Sequence, residues 1–89
     1  IMVSKKLTIK NAQGLHMRPA GMLTKEMAVF DCDVTIKKNN EKINAKSIMH
    51  VMAACLKFGQ EIEVECEGAD EQAALDKFTE LVESGFGEE

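Results

Sequence analysis

The sequence predicts an α+β domain in which an antiparallel sheet carries its helices on one face. The clearest strand is "EIEVECEG". Ile62, Val64 and Cys66 point to one side, and Glu61, Glu63, Glu65 and Glu67 to the other. That alternation requires a sheet with one wet face and one covered face. A second observation is "NNE" between two short apolar-alternating segments, a hairpin signal that makes neighbouring strands antiparallel. A third is the order of the periodicities along the chain, β-α-β-β-α-β-α, with helices packed on a single face of the sheet.

The elements follow in order. "VSKKLTI" alternates Val3, Lys5, Leu7 and Ile9 and reads as a strand with one buried face, broken by the turn residues of "NAQG". From Met17 to about Phe30 the period becomes helical, with Ala20, Leu23, Met27 and Phe30 in one stripe. Pro19 belongs in the first turn, where its missing N–H has no partner to lose, so the helix begins at His16 or Met17. "CDVTIKK" is the second strand, with Val34 and Ile36 on one face, and "KINAK" the third. Ser47 caps a short helix, "SIMHVMAACL", which "KFGQ" closes. After the Glu-rich strand comes the last helix. Asp70 is its expected N-cap, Ala74, Phe78, Leu81 and Val82 its stripe, and Gly85 its stop.

Composition removes several function classes. The chain has 89 residues, enough for one domain, 1–89, with one small core. Ile1 ahead of Met2 reads as an expression remnant, with Met2 the natural start. A net charge of −4 lacks the basic footprint of a nucleic-acid binder. No apolar run is long enough to span a bilayer, and no signal peptide is evident. Cys32, Cys55 and Cys66 have no C-x-x-C spacing, which argues against a zinc site or a disulfide framework. They read as small buried hydrophobes in a reducing cytosol, and no cofactor or metal is expected.

The chemistry is expected in "GLHMRPAG", Gly14 to Gly21. His16 falls at the start of the first helix, where unpaired backbone N–H groups and the helix dipole favour an anion. Arg18 adds a guanidinium fork suited to phosphate oxygens. A neutral imidazole nitrogen is a competent nucleophile near neutral pH. The positive helix end and Arg18 disfavour the imidazolium and leave such a nitrogen free. The N–P bond of a phosphohistidine is labile, so a phosphoryl group placed there can be handed on. No metal-ligand spacing or carboxylate dyad accompanies it, so a relay fits better than an independent enzyme. The plain alternative is that His16 only caps a helix and Arg18 is a solvated side chain.

"GLHMRPAG", "KSIMHVMAA" and "GADEQAALDKFTELVE" together resemble the histidine-containing phosphocarrier (HPr) family of the bacterial phosphotransferase system, in order and over nearly the whole chain. The resemblance implies an open-faced β-sandwich of four antiparallel strands ordered 1-4-2-3. It implies that His16 accepts a phosphoryl group on Nδ1 from enzyme I and passes it to EIIA proteins or domains, with Arg18 binding the phosphate. It further implies that Ser47, in "KSIM", is a regulatory site for an HPr kinase/phosphorylase, giving a corepressor for a catabolite-control transcription factor. Met17, Gly21, Ile48, Met49 and Met52 would form the docking patch, and the carrier would be a cytoplasmic monomer.

This chain departs from the family pattern at Met17, where Ala or Thr is usual, and at His50, where Gly is common. "AACLKFGQ" also departs from a common "SLG" stretch. "SGFGEE" is similar to the nitrogen-related branch, whereas "KSIM" fits the sugar branch. Two other readings stay open. One is a regulatory binding protein acting through Ser47 or partner docking. The other is a generic small α/β ligand- or metal-binding domain.

Overall fold

The computed structural model describes residues 2–88, so Ile1 and the reading placed on it lie outside the described residues. The strands are β1 (Met2–Thr8), β2 (Asp33–Lys38), β3 (Glu41–Asn44) and β4 (Glu61–Glu67). The helices are α1 (Met17–Met27), α2 (Ile48–Ala54) and α3 (Glu71–Glu83), and a 3₁₀ turn follows at Gly85–Gly87. The sheet runs β1-β4-β2-β3, all neighbours antiparallel, as the resemblance implied.

Register explains the two faces. Ile36 lies opposite Val64 on one side and Ile43 on the other, and Cys66 lies opposite both Val3 and Val34. These side chains face the helices. The partner rows, such as Lys6–Glu63–Lys37–Lys42 and Ser4–Glu65–Thr35–Asn44, face water. The β2–β3 turn uses two residues, Asn39 and Asn40, with Asn39 at φ 56°, the left-handed geometry a tight hairpin needs. The helices supply the other half of the core. Ala20, Leu23 and Met27 of α1, Val51 of α2, and Ala74, Phe78 and Val82 of α3 are essentially inaccessible.

Several expectations need correction. Helix α1 stops at Met27, not near Phe30. Phe30 packs half-buried against the core from the following loop, where Lys46 Nζ donates to its carbonyl at 2.6 Å. Lys5 faces the helix side but is exposed, its charge near Glu83 of α3. Asp70 stands at the N-cap position of α3 but makes no side-chain cap bond there. Its carboxylate instead accepts from the N–H groups of Asp31 (2.8 Å) and Cys32 (2.9 Å), fastening the α1–β2 loop to the start of α3. Cys32 and Cys66 are buried as expected, but Cys55 is exposed at the α2 C-cap, with φ 53°.

Candidate functional site

Loop geometry sets the position of His16. Gly14 has φ +68°, and a Cβ there would stand 2.3 Å from the Leu56 carbonyl oxygen. Only glycine permits that approach. It allows the next N–H, of Leu15, to donate to Leu56 O at 2.9 Å, so the loop is pinned to the end of α2. His16 then takes the N-cap position of α1 with extended backbone, and its carbonyl accepts from Ala20 N. The imidazole makes no cap bond and is free for other work. Met17 and Arg18 occupy the first two helical positions, whose N–H groups have no carbonyl within the helix to bond. Pro19 is third and lacks the N–H altogether, as expected.

His16 and Arg18 are brought together around a group that sequence reasoning missed. They line an open depression of about 370 Å³ with Ala12, Gln13, Gly87 and Glu88. The Glu88 carboxylate lies within 3.0–3.1 Å of His16 Nε2 and accepts from Arg18 Nε at 3.3 Å and Nη2 at 3.2 Å. Asn11 Nδ2 holds it from the far side at 2.7 Å and also donates to Gly85 O at 2.8 Å. Asn11 is itself buried, and its Oδ1 has no partner among the described residues. The Asn11 amide first, then His16 and Arg18, hold the Glu88 carboxyl below its ordinary range despite partial desolvation. An ionised carboxylate therefore stands at the ring, bonded to Arg18 as well. Glu88 is a charge beside His16 that local sequence pattern did not reveal.

Glu88 reaches the site through an unusual tail. Gly85, Phe86 and Gly87 all have positive φ (63°, 55° and 76°), which coils the chain back toward the loop before α1. For Phe86 that conformation is strained, and burial of its ring to 2% exposure holds it. The sequence signal was present: a bulky residue between two glycines is a turn with an anchor.

Ser47 caps α2 as expected, its Oγ accepting from His50 N at 3.3 Å. Helix α2 packs on α1. Ile48 Cδ1 lies 3.8 Å from where a Gly21 Cβ would sit, an ordinary contact distance, which places Ile48 beside α1 at Gly21. Met17 and Met49 are 70% and 76% exposed, and Ile48 is 41% exposed. Met52 is different: it is half-buried against the core. Phe58, 66% exposed on the loop that holds Leu15, is a further apolar side chain outside the expected patch. His50 is exposed and lines a shallow hollow with Glu41 and Lys42. No cluster of metal-ligating side chains occurs among the described residues.

Fold and site together define an open-faced α+β domain with a single histidine at a helix start, faced by a guanidinium and a carboxylate. The family model for the PTS HPr component phosphorylation site matches residues 3–84. The phosphocarrier protein HPr of Treponema pallidum is 39% identical over 88 residues, 99% of this chain and 100% of that protein. The HPr-like protein Crh of Bacillus subtilis is 38% identical over 82 residues, 92% of this chain and 96% of its own length. The crystal structure of HPr-C-His from Thermoanaerobacter tengcongensis superposes with a TM-score of 0.94 at 38% identity, covering 98% of each chain. The chain belongs to the HPr family.

Proposed function

We propose that this protein is a phosphocarrier of the sugar phosphotransferase system, with His16 as the phosphoryl acceptor and Arg18 as the group that steadies the transferred phosphate. The observation that carries this reading is the imidazole itself. It stands at the N-cap of α1, makes no capping bond and opens onto the depression that Arg18 also lines. Family membership supplies the class of partner: phosphotransferase-system proteins such as enzyme I as donor and EIIA as acceptor. No described helix is long and apolar enough to cross a membrane, which is compatible with a cytoplasmic carrier. We take the working unit to be a monomer.

Docking is assigned to Met17, Gly21, Ile48, Met49 and Met52. Met17 and Met49 are exposed, and exposed methionines adapt to more than one partner surface, as a carrier requires. Ser47 is assigned a regulatory role. A phosphate there would sit favourably at the start of its own helix and add negative charge beside the docking patch.

The test is incubation with enzyme I and phosphoenolpyruvate, read by intact mass and site mapping, with His16→Ala alongside. The expected result is one acid-labile phosphate, lost in the variant. No gain with an active cognate enzyme I overturns the reading. The second reading is a regulatory binding protein, favoured by the likeness to Crh. It predicts ATP-dependent labelling at Ser47 with little use of His16.

A further inference from the structure

We propose that Glu88 is a positioning residue for His16: its carboxylate fixes the ring proton on Nε2 and thereby presents Nδ1 as the nucleophile. This rests on the phosphocarrier reading for its catalytic half. The structural half stands on geometry alone.

A carboxylate can only accept hydrogen bonds, and both Glu88 oxygens lie within 3.0–3.1 Å of His16 Nε2. Nε2 must therefore be the donor. A neutral imidazole has one N–H, so placing it on Nε2 leaves the lone pair on Nδ1. The carboxylate cannot easily swing away. Asn11 Nδ2 grips Oε1, Arg18 grips Oε2, and the buried Phe86 ring anchors the backbone two residues earlier. Asn11 has one orientation available, because both partners of its Nδ2, Gly85 O and Glu88 Oε1, are acceptors.

The transfer then balances. The Nδ1 lone pair forms the new N–P bond as the phosphorus bond to the donor protein breaks, and the donor keeps that electron pair. The ring becomes cationic and keeps its Nε2 proton, and Glu88 faces the new positive charge. Arg18 commits Nε and Nη2 to Glu88, leaving Nη1 for phosphoryl oxygens. In onward transfer the N–P pair returns to Nδ1. A ring that still holds its Nε2 proton leaves as neutral imidazole rather than as the far more basic imidazolate. Asn11, Glu88 and His16 thus form a relay of orientation, comparable in logic to the carboxylate that sets the histidine tautomer in hydrolytic triads.

The experiment uses ring-nitrogen NMR of the intact protein, without any phosphoryl donor, for wild type, Glu88→Gln and Glu88→Ala. Wild type is expected as the Nε2–H tautomer, and Glu88→Ala as a mixture containing Nδ1–H. Glu88→Gln keeps an acceptor without the charge and falls between them. With phospho-enzyme I as donor, Glu88→Ala is expected to accept phosphate between about ten-fold and a hundred-fold more slowly, the size of loss that follows removal of an outer-shell partner orienting a functional histidine. Unchanged melting temperatures separate this from a folding defect. An unchanged tautomer ratio in Glu88→Ala overturns the proposal, and so does an unchanged rate. If wild type shows the Nε2–H tautomer but no variant or wild-type chain accepts phosphate, the carrier reading fails and the catalytic half of this proposal with it.

Discussion

At the scale of single residues, the site depends on a few positions where no other side chain would serve. Gly14 is the plainest. Its positive φ and the backbone of Leu56 and Lys57, 2.3 and 2.9 Å from a would-be Cβ, leave no space for a methyl group. Gly14→Ala is expected to cost at least about 1–3 kcal/mol through backbone strain alone. Urea unfolding measures that loss, and the His16 ring resonances should shift with it. His16, Arg18 and Gly14 were readable from the sequence because each acts locally, within a few residues of a helix start. Asn11 and Glu88 were not. Their meaning lies in a contact between residues 77 apart in the chain, and nothing periodic or local marks it. Met52 misled in the opposite direction. The family resemblance placed it with Met49 in the docking patch, yet it lies half-buried against the core on the inner side of α2.

At the scale of elements, boundaries are set by side chains that reach out of their own element. Asp70 reads as a local cap and acts as a staple to the loop before β2. The Asp31 N–H, and after it the Cys32 N–H, hold its carboxyl below the ordinary carboxylate range despite some desolvation. A folded-state value below the unfolded one means that the unfolded chain takes up the proton first. The stabilisation is therefore complete above the unfolded value of about 3.9 and is lost as pH falls through the lower folded value. Asp70→Asn should melt below wild type at pH 7, and the gap should narrow as the pH is taken below about 4. Thermal melts across that range check both halves. Helix α2 gives a simpler case. Ser47→Ala removes the acceptor for His50 N and should cost about 1 kcal/mol. Met17→Ala and Met49→Ala remove exposed side chains and should change stability by less than about 0.5 kcal/mol. Their expected effect is on the KM for partner proteins, measurable in the phosphoryl-transfer assay.

For the whole molecule, one apolar layer between sheet and helices carries the fold. Phe78 is its largest fully buried side chain, and Phe78→Ala should cost about 3–5 kcal/mol in equilibrium unfolding. The fold class was readable because this layer is written as two clean periods: alternation in "EIEVECEG" and a helical stripe through Ala74, Phe78, Leu81 and Val82. Strand order was not written that way. Periodicity places residues on faces but does not say which strand lies beside which, and the order came from family resemblance. That order has a consequence in time. The first strand pairs only with the last, and β4 lies between β1 and β2. A ribosome that has released only the first sixty residues has delivered the helix bearing His16, yet β1 has nothing to bond to. The sheet closes only once β4 emerges: the β2–β3 hairpin can pair earlier, but β1 stays without a partner through most of the synthesis. The Glu-lined outer face of β4 arrives with the closing strand, and its glutamates meet lysines of the flanking strands, as in the Lys6–Glu63–Lys37 row and the Lys37–Glu65 ion pair.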